Sequence, residues 1–173
     1  MMAVVRRPLR CQGGTAAAEM ALMLPLMVII LFGMFEGGHF LFSEHKVLKG
    51  VRDGARYAAR ANFNNYNCST NAINSTLAGQ VQKLTRTGYP DGDNPNVTGT
   101  DNPFVPGWTD AQVSVTMSCA SGTNTGLYED ISGGAPRVTV TADVPYTSLF
   151  GVIGFNSSSL RLKAKAQAAV TGL

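Results

Sequence analysis

The chain has 173 residues, which is enough for one modest globular domain rather than two. Its formal net charge is +3, and three arginines before residue 15, where no acids occur, account for all of it. The remainder is therefore neutral. Because phosphate binding requires clustered Lys and Arg, this neutrality argues against nucleic acid as a partner.

The first predicted element is a membrane-spanning helix at residues 15–36. Residues 20–35 carry no charged side chain, and with residues 16–19 they form a helix about 30 Å long, which matches a bilayer core. A domain this small could hardly bury so apolar a helix on every side. The small-residue site of a cleaved secretory signal is missing after the segment. Basic residues flank it on both sides, so charge alone leaves the orientation open.

The junction before this helix carries a second signal. Gly14 precedes Thr15, and Glu19 is the fifth residue counted from Thr15. This spacing resembles the type IV prepilin signature, in which a membrane aspartyl peptidase cuts after the glycine on the cytoplasmic face. The resemblance implies that residues 1–14 are a cytoplasmic leader, that Gly14 and Thr15 form the cleavage site, and that prepilin peptidase is a partner.

Glu19 has two possible roles. A carboxylate on a membrane helix makes membrane insertion less favourable by about 2.5–3.5 kcal/mol at the bilayer centre and by less near the interface. Its presence at this position therefore suggests a specific role. In a filament, the freed amine of one subunit can neutralise the Glu19 of a neighbour. Alternatively, Glu19 marks the headgroup boundary.

Two ordered motifs extend the resemblance to a family. The first is Ala18-Glu19-Met20-Ala21-Leu22-Met23-Leu24-Pro25 with Leu31-Phe32-Gly33 and Glu36, and the second is Val51-Arg52-Asp53-Gly54-Ala55-Arg56-Tyr57-Ala58-Ala59. They are similar to the A-x-E-x-A-L-x-L-P…F-G-x-x-E and R-x-G-A-R-Y-A motifs of TadE-like proteins of the tight-adherence (Flp) pilus. The resemblance covers Gly13 to about Arg60.

The family resemblance implies a function, a location and partners. It implies a minor pseudopilin that acts structurally in pilus assembly, lies in the bacterial inner membrane with its N-terminus cytoplasmic, and places its C-terminal domain in the periplasm. The implied partners are other pilin-like subunits, inner-membrane assembly proteins and membrane lipid. The alternative is a single-pass scaffold of a secretion apparatus that keeps its leader and does not enter a filament.

Residues 37–62 are predicted to form an amphipathic helix, continuous with the membrane segment or hinged at Gly37-Gly38. Apolar residues recur at mostly four-residue intervals, and basic residues occupy another face. The apolar positions are Phe40, Val47, Val51, Ala55 and Ala59, and the basic ones are Lys49, Arg52, Arg56 and Arg60. We expect the basic face to be solvated rather than to bind acidic headgroups or an acidic partner.

The cysteines suggest a disulfide. Cys11 precedes the membrane segment, whereas Cys68 and Cys119 follow it. If residues 63–173 form an extracytoplasmic domain, Cys68 and Cys119 can pair there while Cys11 stays reduced. The alternative is two unpaired, buried cysteines.

The remaining chain predicts a helix at residues 71–86, with Ser69 to Asn71 available for capping, and an irregular loop at residues 88–110. Four residues of the loop could supply oxygen ligands to calcium, but an ordinary turn fits their spacing better. These residues are Asp91, Asp93, Asn94 and Asp101.

Three stretches alternate apolar and polar residues, as half-buried strands do. Their apolar positions are Val113, Val115 and Met117; Val138, Val140, Ala142 and Val144; and Leu160, Leu162, Ala164, Ala166 and Ala168. We therefore expect an α+β, pilin-like fold in which the long N-terminal helix packs on a small antiparallel sheet. The apolar stretch at residues 149–155 is either an exposed docking patch or part of a small core.

No catalytic constellation, cofactor site or metal site is expected. His39 and His45 lack the i, i+4 spacing of a helical metal pair, and no serine or cysteine lies in a recognisable nucleophile motif.

Overall fold

The computed structural model describes residues 13–92, 102–122, 125–151, 154, 157 and 159–172. Most of the predicted leader, including Cys11, lies outside these ranges. So do three of the four candidate calcium ligands (Asp93, Asn94 and Asp101) and three residues of the apolar stretch (Val152, Ile153 and Phe155).

Within the described residues the chain forms two α-helices and five strands. Helix α1 is Gly13–Arg60, β1 is Tyr66–Asn67, β2 is Ala72–Ile73, α2 is Ser75–Thr87, β3 is Val113–Ala120, β4 is Ala135–Pro145 and β5 is Arg161–Ala169. This confirms the α+β class with a long N-terminal helix and small antiparallel sheets. The chain divides into two compact units, residues 1–38 and residues 39–173.

Helix α1 is assigned without a break through Gly37 and Gly38. In the second unit its apolar face is buried at Val47, Val51 and Ala55, as the four-residue spacing predicts.

Helix α2 begins four residues later than predicted. Residues 72–73 pair with β1 instead, with Tyr66 opposite Ile73. Asn74 therefore provides the cap in place of Ser69 to Asn71, and its side-chain oxygen accepts a hydrogen bond from the Thr76 N–H at 2.9 Å.

The main sheet has the strand order β3-β4-β5, and both pairings are antiparallel. The central strand buries every second residue, namely Pro136, Val138, Val140, Ala142 and Val144. Leu160 was wrongly placed on the buried face: β5 begins at Arg161, opposite Pro145, so Leu160 belongs to the preceding loop and is 41% exposed. On β4 the hydrogen bond from Arg161 holds the pKa of Asp143 below its usual value.

Two glycines let α1 and α2 approach closely. Gly50 and Gly54 are one helical turn apart, so they share a face of α1. A Cβ at Gly50 would overlap the Thr85 carbonyl oxygen and lie 3.2 Å from Trp108 Cη2, and a Cβ at Gly54 would overlap Thr85 Oγ1. Thr85 and Trp108 are both fully buried, so this contact is part of the core.

The C-terminal end of α1 is capped from distant parts of the chain. The Tyr66 hydroxyl donates to the Ala58 carbonyl. The Thr171 N–H and hydroxyl both donate to the Ala59 carbonyl, at 2.7 and 3.1 Å. These donors satisfy carbonyls that have no partner inside the helix. Burial raises the pKa of Tyr66 to about 12.

Candidate membrane and assembly segment

The first unit presents an apolar helix surface to its surroundings. Large apolar side chains are exposed along residues 20–35, with Leu22 reaching 78%. Exposing this much apolar surface to water is unfavourable, so the segment requires lipid or another apolar partner. Among the described residues, α1 is the one helix long and apolar enough to cross a membrane.

The predicted cleavage and assembly residues lie in the first turns of this helix. Gly14 is exposed, and a Cβ there would meet no atom within 4 Å. Thr15 and Glu19 are also exposed and are four positions apart, so they lie on the same face. The position is accessible to a peptidase or to a neighbouring subunit. The proposed cleavage and assembly roles stay predictions.

The second unit begins with an aromatic contact that the sequence reasoning missed. His39 Nδ1 lies 2.9 Å from the Tyr146 hydroxyl, and the Phe40 ring meets the Tyr146 ring edge-on with centroids 5.1 Å apart. Tyr146 itself is buried. His39 is thus a structural partner of the end of β4. Within the described part of the chain, no three His, Cys, Asp or Glu side chains are grouped so that they could hold a metal ion.

The predicted disulfide is present. Cys68 is bonded to Cys119, with their Cα atoms 5.6 Å apart. The bond joins the segment after β1 to the end of β3, close to Gly133 and Gly134. The two cysteines are therefore paired rather than separately buried.

The basic face of α1 is exposed, in agreement with the sequence. Lys49, Arg52, Arg56 and Arg60 all face solvent. Three of them, Lys49, Arg52 and Arg56, border a shallow depression of about 320 Å³ together with Asp53 and neighbouring side chains. Arg56 lies 3.7 Å from Asp53, so part of the positive charge is offset by the helix itself.

The second sequence motif has a structural explanation that the sequence did not supply. Gly54 in the middle of the motif faces Thr85, while Ala55 and Ala58 enter the core. The four-residue spacing of Gly50 and Gly54 was the available signal, because it places two side-chain-free positions on one helix face.

The fold and the segment together define an α+β protein with one N-terminal apolar helix that could span a membrane once. The model of the family described as TadE-like protein matches residues 14–56. This confirms the TadE-like resemblance and indicates a protein associated with the Tad pilus. No curated protein matches the chain, and no solved structure matches it.

Proposed function

We propose that this chain is a minor pseudopilin of the tight-adherence pilus apparatus, with a structural rather than an enzymatic role. The observation that carries the proposal is the TadE-like match, which starts at Gly14 and ends within the second motif. The matched region thus includes Thr15, Glu19 and the whole exposed apolar segment.

The membrane part of the proposal rests on exposure. The apolar side chains of residues 20–35 face outward in every direction around the helix axis, whereas a core helix of a soluble domain would bury at least one side. Insertion into the inner membrane would cover this surface.

The disulfide supports the proposed location of the C-terminal domain. Disulfides persist in oxidising compartments such as the periplasm and are rare in the bacterial cytoplasm. The Cys68–Cys119 bond therefore supports a periplasmic domain and a cytoplasmic N-terminus.

Glu19 would then act as the charge that aligns neighbouring subunits. A carboxylate on a lipid-facing helix is unfavourable unless it is paired, and a pilin-like neighbour processed before Thr15 would supply an amine. Other pilin-like subunits and inner-membrane assembly proteins are accordingly the proposed partners.

Glu19→Ala and Glu19→Gln test this role, with Glu44→Gln as the control. Glu44 is also exposed on α1, but it lies beyond the apolar segment. Both Glu19 variants should insert into the membrane at least as well as the wild type, because a charge has been removed from the apolar helix. Crosslinking to co-expressed pilin-like subunits should fall about tenfold if the ion pair contributes about 1.4 kcal/mol. Wild-type crosslinking by both Glu19 variants would mean that Glu19 only marks the headgroup boundary.

The alternative is a scaffold protein that keeps its leader and does not enter a filament. Mass spectrometry of the native N-terminus separates the two. A chain that starts at Thr15 requires the peptidase, and Gly14→Leu should then leave a protein larger by the leader. An intact N-terminus in cells that contain the peptidase would favour the scaffold.

A further inference from the structure

Several apolar side chains of the second unit are exposed around Tyr146. Leu41 and Phe42 follow directly on the α1 residues that contact Tyr146, and Leu149 and Leu160 lie on the loop between β4 and β5. All four are at least 41% exposed. We refer to these four residues as the Tyr146 patch.

Hydrogen bonds hold the loop residues of the patch beside Tyr146. The Tyr146 N–H donates to the Leu160 carbonyl at 3.0 Å. The Ser157 hydroxyl donates to the Tyr146 carbonyl at 3.1 Å, and the Ser148 N–H donates to the same hydroxyl at 3.3 Å. These hydrogen bonds hold the loop next to Leu149 and at Leu160 in place, although the two leucine side chains are exposed.

Chain connectivity limits how far Tyr146 can lie from the apolar segment. Tyr146 contacts His39 at 2.9 Å, and His39 is four residues beyond Phe35. Four residues of chain span at most about 14 Å, whatever the arrangement of the two units. If residues 15–36 cross a bilayer, the His39 Cα must lie within that reach of the membrane boundary, and the Tyr146 hydroxyl contacts the His39 side chain.

The composition of the patch fits the boundary layer of a bilayer better than a protein surface. Phe40 packs on Tyr146, whereas Leu41 and Phe42 follow at about 100° and 200° around the helix. The exposed Leu41 and Phe42 side chains thus point about 100° apart, and a lipid layer can cover both more readily than one flat protein surface. The Lys46 ammonium lies 4.5 Å above the Phe42 ring. A lysine whose stem covers apolar surface while its charge stays solvated suits the headgroup region.

We propose that the Tyr146 patch inserts into the headgroup and acyl boundary of the bilayer, so that the sheet domain has a second membrane contact besides the spanning helix. The inference rests on the proposed membrane insertion. It assigns Leu149, from the apolar stretch at residues 149–155, to lipid binding.

Tryptophan substitutions in the full-length protein test the patch. Leu149→Trp and Leu160→Trp are reconstituted into phosphatidylcholine vesicles with and without brominated acyl chains, which quench nearby tryptophans. The native Trp108 is 1% exposed and supplies a constant background. The additional emission of both variants should fall by about half in brominated vesicles, since the headgroup and acyl boundary lies within reach of the quencher.

Leu127→Trp is the matched control. Leu127 is 59% exposed, but the adjacent Tyr128 contacts Phe63 and Val170, just beyond the end of α1. Phe40 and Arg60 are about 30 Å apart along that helix, so Leu127→Trp should escape quenching. Circular dichroism should show that each variant keeps the wild-type fold.

Met27→Trp separates failure of this inference from failure of the proposed function. Quenching of Met27→Trp without quenching of Leu149→Trp and Leu160→Trp would overturn the inference and leave the membrane anchor intact; the patch would then face a protein or a second copy of the chain. Quenching of Leu127→Trp to the same extent would also overturn it. If Met27→Trp is not quenched, the membrane anchor itself is wrong, and the inference fails with it.

Discussion

The contact between Gly54 and Thr85 leads to a prediction in which one chemical change has different effects at two helical positions. Gly54→Ala adds a methyl group that would overlap Thr85 Oγ1 and lie 3.3 Å from Thr85 Cβ. Gly79→Ala adds the same group to the middle of α2, where it meets no atom within 4 Å. Both positions are helical, so both variants gain about 1 kcal/mol of helix propensity.

The difference between the two variants isolates the packing term. Thr85 is fully buried and β-branched, so its side chain has little freedom to move away from the new methyl group. Overpacking of a core by one methyl group costs about 1–3 kcal/mol. We therefore expect Gly79→Ala to be stabilised by about 1 kcal/mol and Gly54→Ala to be less stable than Gly79→Ala by about 1–3 kcal/mol.

Denaturant unfolding in detergent, followed through the fluorescence of the buried Trp108, measures this difference. Thermal unfolding should show it as well, at about 2–4 °C for each kcal/mol in a chain of this size. Gly50→Ala should destabilise at least as strongly, because its methyl group would meet the backbone carbonyl of Thr85. Equal stabilisation by Gly54→Ala and Gly79→Ala would refute the close packing of α1 on α2.

Two further predictions concern stability. Cys119→Ser should lower the free energy of unfolding by up to about 4 kcal/mol, because the Cys68–Cys119 bond closes a loop with a sequence separation of 51. Urea unfolding with and without reductant checks this. A wild-type protein whose stability does not change with reductant would contradict it. Stability should fall between about pH 10 and 12, because unfolded tyrosine loses its proton near 10 whereas folded Tyr66 keeps it to about 12. Tyr66→Phe can neither ionise nor donate a hydrogen bond to Ala58, so it should be less stable than the wild type at neutral pH. Its stability should also fall less steeply with rising pH. If the steepness of that fall is unchanged, groups other than Tyr66 cause it.

Local periodicity was sufficient to predict much of this protein. Spacing alone predicts the long apolar helix, the buried face of α1 with Val47 and Val51, and the alternating strand β4. The reason is that a side chain's direction in a helix or strand depends on its position in the repeat. The disulfide was also predictable on the premise that Cys68 and Cys119, which both follow the membrane segment, lie in an oxidising compartment. The spacing of Gly14 and Glu19 was sufficient to name them as candidates, but their roles depend on molecules outside the chain.

Contacts between distant residues were decided only by the tertiary structure. The pairing of β1 with β2 moved the start of α2 to Ser75, and the end of the β4–β5 pairing left Leu160 in a loop. The capping of Ala59 by Thr171 joins residues 112 positions apart, and the contact between His39 and Tyr146 joins residues 107 apart. No local preference encodes such contacts, because each depends on how complementary surfaces meet after the helices and strands have formed.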